Sequence, residues 1–140
     1  MRKSMLAFTL LAAAATWPTA QAAVITYKAN LGGAAEVPPV TTAGKGTAQV
    51  NVDMATKQVT WRVDYSGLSG PAAAAHIHCG AAPGANSGVA VSFGDKVASP
   101  IEGSGMMTDA QLADLQAGKC YVNVHTAANK GGEIRGQLVP

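Results

Sequence analysis

Apolar and polar residues alternate with a period of two over much of this 140-residue chain. From Thr47 to Val52, Ala48, Val50 and Val52 take one side and Thr47, Gln49 and Asn51 the other. From Val59 to Tyr65 the apolar positions are Val59, Trp61, Val63 and Tyr65, with Thr60, Arg62 and Asp64 between them. Side chains alternate across an extended strand, so each run predicts a strand with one face on a core. The polar link from Asp53 to Gln58 makes the two a hairpin. Val24–Lys28 and Val89–Phe93 read as further strands. Gly32-Gly33 and Glu36-Val37-Pro38-Pro39 read as loop, since a double proline cannot donate to a ladder.

The middle of the chain is less regular. Ala72 to His78 is alanine-rich, which favours a helix by propensity. Pro71 before it and Cys79-Gly80 after it leave room for only about two helical turns, so a strand is expected. Gly80–Gly88 reads as a loop, and a polar, glycine-containing stretch runs on to Gly105. Thr108–Gln116 predicts the one helix. Thr108 caps it, Gln111 completes a capping box, Asp109 suits the positive end, Leu112 and Leu115 form an apolar face, and Gly118 stops it.

Cys120–Thr126 and Glu133–Leu138 then form a hairpin around Asn129-Lys130-Gly131-Gly132. Keeping the apolar faces together sets Val122 opposite Leu138 and Val124 opposite Gly136, hence Asn123 opposite Gln137 and His125 opposite Arg135. Six or seven short strands with one short helix predict an all-β fold, an antiparallel Greek-key-like β-sandwich or barrel.

The first 22 residues stand apart. Arg2 and Lys3 precede the apolar run Met5–Ala15, Trp17-Pro18 breaks it, and Ala20-Gln21-Ala22 supplies a small-x-small cleavage site. This is the pattern of a secretory signal peptide, leaving residues 23–140 as one domain, periplasmic or secreted. No second apolar run of ~18 residues follows, so no transmembrane helix is expected in the mature protein. Lys and Arg number 10 against 8 Asp and Glu, and removal of Arg2 and Lys3 evens the balance. With no basic cluster, a nucleic-acid partner is not expected.

Both cysteines, Cys79 and Cys120, fall after the leader, and export favours a disulfide between them. Strand parity agrees, because each cysteine lies on the opposite phase from the histidine of its own segment. The rival is thiolate ligation of a metal, since Cys120-x-x-x-x-His125 has one cupredoxin ligand spacing, although no Met follows His125.

The chain has 3 histidines, and all lie in two segments, Ala75-His76-Ile77-His78 and Asn123-Val124-His125. His76 and His78 are two apart and share one strand face. If the two strands meet, the three imidazoles converge into a candidate first shell for a transition metal, copper before zinc. Asn123, Glu133, Arg135 and Gln137 share the polar side of the second hairpin with His125 and are candidates to support it. A plain polar strand face would give the same pattern. No Ser-His-Asp or paired-carboxylate spacing is present to suggest a hydrolase.

These motifs together resemble the CHRD domain, named after chordin and found alone in many exported bacterial proteins. The resemblance rests on Gly33-Ala34-Ala35-Glu36-Val37-Pro38-Pro39, on Ala75-His76-Ile77-His78, on Gly118 through Asn129, and on Gly131-Gly132-Glu133-Ile134-Arg135-Gly136-Gln137-Leu138. Cys79-Gly80 and Lys130 depart from the family pattern. The layout is also similar to that of Cu,Zn superoxide dismutase. That likeness implies copper-side roles for His76, His78 and His125 and an anion-guiding role for Arg135, while the zinc site has no counterpart.

Three functions are therefore expected to compete. One is an exported copper-binding domain for storage, buffering or transfer. The second is a structural or interaction module whose histidines and Arg135 form a metal-free polar cluster, and the third a dismutase-like copper oxidoreductase. A protein partner or homodimer is left open. N-terminal sequencing of the exported protein is expected to begin at Ala23, and a sequence starting at Met1 would refute the leader.

Overall fold

A computed structural model describes residues 23–140, and the leader expected over residues 1–22 lies outside the described residues. Eight strands form: β1 (Val24–Gly32), β2 (Lys45–Asp53), β3 (Gln58–Ser66), β4 (Ala72–Cys79), β5 (Val89–Ser92), β6 (Ile101–Met106), β7 (Cys120–Thr126) and β8 (Ile134–Gln137). The helix α1 (Asp109–Gln116) lies between β6 and β7. The strands make one antiparallel sheet in the order β5-β4-β7-β8-β1-β2-β3-β6.

The sheet nearly closes on itself. Trp61 of β3 stacks on Phe93 beyond β5, with ring centroids 4.5 Å apart, across the gap between the two edge strands. Counting that seam, β4, β5, β6 and β7 lie in the order β7-β4-β5-β6, which is a Greek key. Inward residues fill the barrel: Tyr27, Ala29 and Leu31 from β1, Ala48, Val50 and Val52 from β2, Val59, Trp61 and Val63 from β3, and Ile77, Val122 and Val124 from β4 and β7. Thr108 caps α1 with both bonds of the capping box, and Leu112 and Leu115 close one end of the core.

Two expectations need correction. The stretch read as irregular up to Gly105 contains β6, paired to β3 from Gln58↔Met106 to Val63↔Ile101. Its inward positions after Ile101 are Gly103 and Gly105, where a Cβ would come within 2.7 Å and 3.4 Å of the Trp61 ring. The indole supplies the core there, so the strand itself shows no apolar alternation.

The second correction is the β7–β8 register, which is shifted by two from the expected one. Val122 faces Gly136, Asn123 faces Arg135 and Tyr121 faces Gln137. The path from Val122 to its partner is two residues shorter than expected, and the residues from Thr126 to Gly132 form a turn closed by bonds between Thr126 and Asn129 and from Gly132 N to Asn129 O. A shift of two keeps every side chain on its expected face but changes its neighbour.

Cys79 and Cys120 are directly paired in the β4–β7 ladder and form a disulfide with a Cα–Cα distance of 4.2 Å. This removes the thiolate-ligand alternative. The bridge spans 41 residues of sequence, and constraining the unfolded chain that far stabilises the fold by about 2–4 kcal/mol. Unreduced protein is expected to take up no alkylating label, and reduction is expected to lower the urea unfolding free energy by about that amount.

Candidate metal centre

The histidines meet because of register and parity. His76 pairs with Asn123, His78 with Tyr121 and Ala74 with His125, all on the outer face of the sheet. The small Ala74 opposite His125 leaves room for the diagonal contact, so His76 Nδ1 comes 3.1 Å from His125 Nε2. One ligand-capable nitrogen from each of His76, His78 and His125 lies within 4.8 Å of the others.

The three rings are held differently. His125 Nδ1 donates to the Lys130 carbonyl at 2.9 Å, which leaves Nε2 as the lone-pair nitrogen facing His76. His78 Nδ1 faces the Ser87 carbonyl at 2.9 Å and its Nε2 faces Asn123 Oδ1 at 3.0 Å. Both nitrogens of His78 are thus engaged, and ligation through Nε2 requires release of Asn123. Burial, with His125 and His78 nearby, pushes the His76 imidazole down to about 4. Burial also holds His125 below its ordinary value, against the Lys130 carbonyl bond that favours the charged form. These two rings are neutral at physiological pH, the state that metal ligation needs.

The face around them is not solvated. Asn123 and Arg135 are each 2% exposed, His78 8% and Glu133 0%. The loop after β1 and the loops flanking β4 cover them. Arg135 donates to Ala85 O at 2.7 Å and to Asn86 Oδ1 at 2.9 Å, while Asn86 donates to Val37 O at 2.8 Å. The guanidinium also lies 3.4 Å above the Tyr121 ring, which stacks on His78 at 4.8 Å. Arg135 therefore holds the 80–88 loop onto the sheet, and it is neither opposite His125 nor open to guide an anion. Gln137 donates to Gly118 O at 2.6 Å and so anchors the end of the helix rather than the histidines.

Glu133 is a separate centre. Its carboxylate accepts from Thr42 Oγ1, Ser69 Oγ and Thr126 Oγ1 at 2.6 Å, from Ser69 N at 2.8 Å and from Asn129 Nδ2 at 3.1 Å. Burial alone would raise it, but these bonds outweigh burial and hold it at about 2. Glu36 has the opposite setting: it is 4% exposed, and burial raises it to about 7 against the pull of Arg135 and Asn123. The sequence gives no sign of Glu36 as a site residue, because it stands in a proline-rich loop about ninety residues from its neighbours Asn123 and Gly132.

An antiparallel, nearly closed barrel with a buried polar layer and a histidine cluster on its outer face is the class that fold and site define. The CHRD domain family model matches residues 27–138, so the chain belongs to the CHRD family, and all three histidines lie inside the match. No curated protein and no solved structure matches the chain. Among the described residues no helix is long and apolar enough to cross a membrane.

The two carboxylates give opposite pH slopes. The folded value of Glu133 lies below its ordinary 4.5, so its contribution is present above about pH 4.5 and is lost as pH falls toward 2. The raised Glu36 makes ionisation unfavourable in the fold, so its cost grows as pH rises from 4.5 through about 7. Glu133→Gln places an amide donor among donors and is expected to destabilise by about 1–3 kcal/mol near neutral pH. That difference should shrink as pH falls below 4, and urea midpoints across pH 2–8 measure it.

Proposed function

We propose that this CHRD domain binds a transition metal ion, copper foremost, between His76 Nδ1 and His125 Nε2, with His78 within reach as a third imidazole. The observation that carries this reading is the 3.1 Å separation of those two nitrogens. With metal–nitrogen bonds of about 2.0–2.1 Å it corresponds to a ligand–metal–ligand angle of about 95–100°. An ion at that angle lies off the line of the existing hydrogen bond, so the two rings would turn toward it while the strand spacing already suits it. The angle is nearer the right angles of tetragonal Cu(II) than a tetrahedron, and imidazole sites bind copper most tightly among the first-row divalent ions.

His76 and His125 are only half-buried, so an ion there keeps positions open to water or to an accepting ligand. That favours storage, buffering or transfer. The disulfide supports an oxidising compartment, consistent with a periplasmic or secreted protein. A metal-free structural cluster is the second reading, and the engagement of both His78 nitrogens favours it.

Copper(II) titrated into protein prepared from an oxidising compartment separates the two readings. Wild type is expected to bind one equivalent, whereas His76→Ala and His125→Ala bind none and His78→Ala keeps the stoichiometry. The affinity should persist below pH 6.5 and fall as pH drops toward 4, because burial holds both imidazoles below their ordinary value. Calorimetry and EPR read this directly. Wild type that takes up no more copper than His125→Ala refutes the metal reading.

A further inference from the structure

Glu36 Oε1 is a buried carboxylate oxygen without a hydrogen-bond partner. Gly132 shows what it faces. That residue has φ +128°, and a Cβ there would overlap Glu36 Oε1 and lie 2.6 Å from Asn123 Nδ2. The carboxylate and the amide nitrogen therefore share the small space above Gly132, which only glycine leaves open. Asn123 Nδ2 also donates to Gly131 O at 3.4 Å. One end of the amide thus faces a carboxylate and a carbonyl, and the other end, Oδ1, is left to face His78 Nε2 at 3.0 Å.

Turning the amide over would set Oδ1 against those two oxygens, with no donor between them. It would also place Nδ2 against His78 Nε2 and let that nitrogen accept. The buried carboxylate makes the first orientation the favourable one, because its charge attracts the positive N–H end of a nearby amide and repels an amide oxygen. His78 Nδ1 already faces the Ser87 carbonyl, so the orientation of Asn123 decides whether Nε2 can present its lone pair outward.

We propose that Glu36 is a positioning residue that, through the Asn123 amide, keeps His78 out of the metal site, so that the wild-type protein binds its ion through His76 and His125. The half of this inference that concerns ligand number rests on the metal-binding reading above. The orientation of the amide is a property of the metal-free protein and stands apart from it.

The first measurement is NMR on metal-free protein at about pH 8, where Glu36 is ionised. In wild type the Asn123 amide protons should show contacts to Gly131 and Gly132 and none to the His78 ring. In Glu36→Gln, an isosteric change, those contacts should shift to the His78 ring, and Glu36→Asp should restore the wild-type pattern. An unchanged pattern in Glu36→Gln overturns the proposal, whether or not the protein binds metal.

The second measurement is pulsed EPR after adding copper(II), which counts bound imidazoles. Two are expected in wild type and three in Glu36→Gln, and equal counts overturn the role of Glu36 in ligand choice. If wild type binds no copper, the metal reading fails by itself, and the amide contacts still decide whether Glu36 sets Asn123.

Discussion

The sheet patch formed by β7 and β8 has almost no wet face, and that constraint organises the rest of the molecule. A strand of an antiparallel barrel ordinarily buries one side and hydrates the other. In β7 every residue except His125 is buried. Its inward side is Val122 and Val124, and its outward side carries Tyr121 and Asn123, with Arg135 alongside from β8. Polar groups taken from water cost stability unless each finds a partner. The partners come from the covering loops: Ser87 for His78, Ala85 and Asn86 for Arg135, and Thr42 and Ser69 for Glu133. The bonds that satisfy the polar layer are the same bonds that fasten the loops. Neither the layer nor its cover can form without the other.

That arrangement also separates two carboxylates by role. Glu133 is surrounded by neutral donors from three parts of the chain and is stable as an anion. It ties the 42 and 69 loops to the β7–β8 turn, and the shorter connection through that turn goes with the register shift of two. Glu36 is short of donors, with Oε1 unpartnered. An uncompensated buried carboxylate costs stability, and a fold retains one more readily where the group does something other than hold the chain together.

Sequence pattern revealed whatever depended on alternation or on local spacing. The hairpin of β2 and β3, the capping box of Thr108 and Gln111, the strand bearing His76 and His78, and the disulfide were all legible, because each follows from neighbours a few residues apart or from face parity. β6 was not legible, because its inward side is glycine making way for Trp61 from another strand. The partner of Arg135 was not legible either, since parity fixes a face but turn length fixes the neighbour. Glu36 gave no one-dimensional signal at all. Its meaning depends on Gly132 and Asn123, which only the folded sheet brings beside it.

The alanines of β4 connect fold to chemistry. A bulky outward residue at 74 would be ordinary for a strand, yet it is alanine. With Ala74 opposite His125, the imidazole of His125 leans across the ladder to His76 instead of stacking on a cross-strand neighbour. Ile77, Val122 and Val124 are completely buried beneath, so a slip of one residue would expose all three, and the spacing of the two rings is fixed by the core. The two nitrogens are thus set at a metal-compatible separation by inward packing, and their neutral state comes from burial on the outward side. His78 has the same strand and the same face, but its bonds to Ser87 and Asn123 hold it back. Under the metal-binding reading, the sheet presents two ligands ready and one restrained. On that reading such a graded set would hold an ion while leaving it exchangeable, with the buried Asn123 amide setting whether the third imidazole joins.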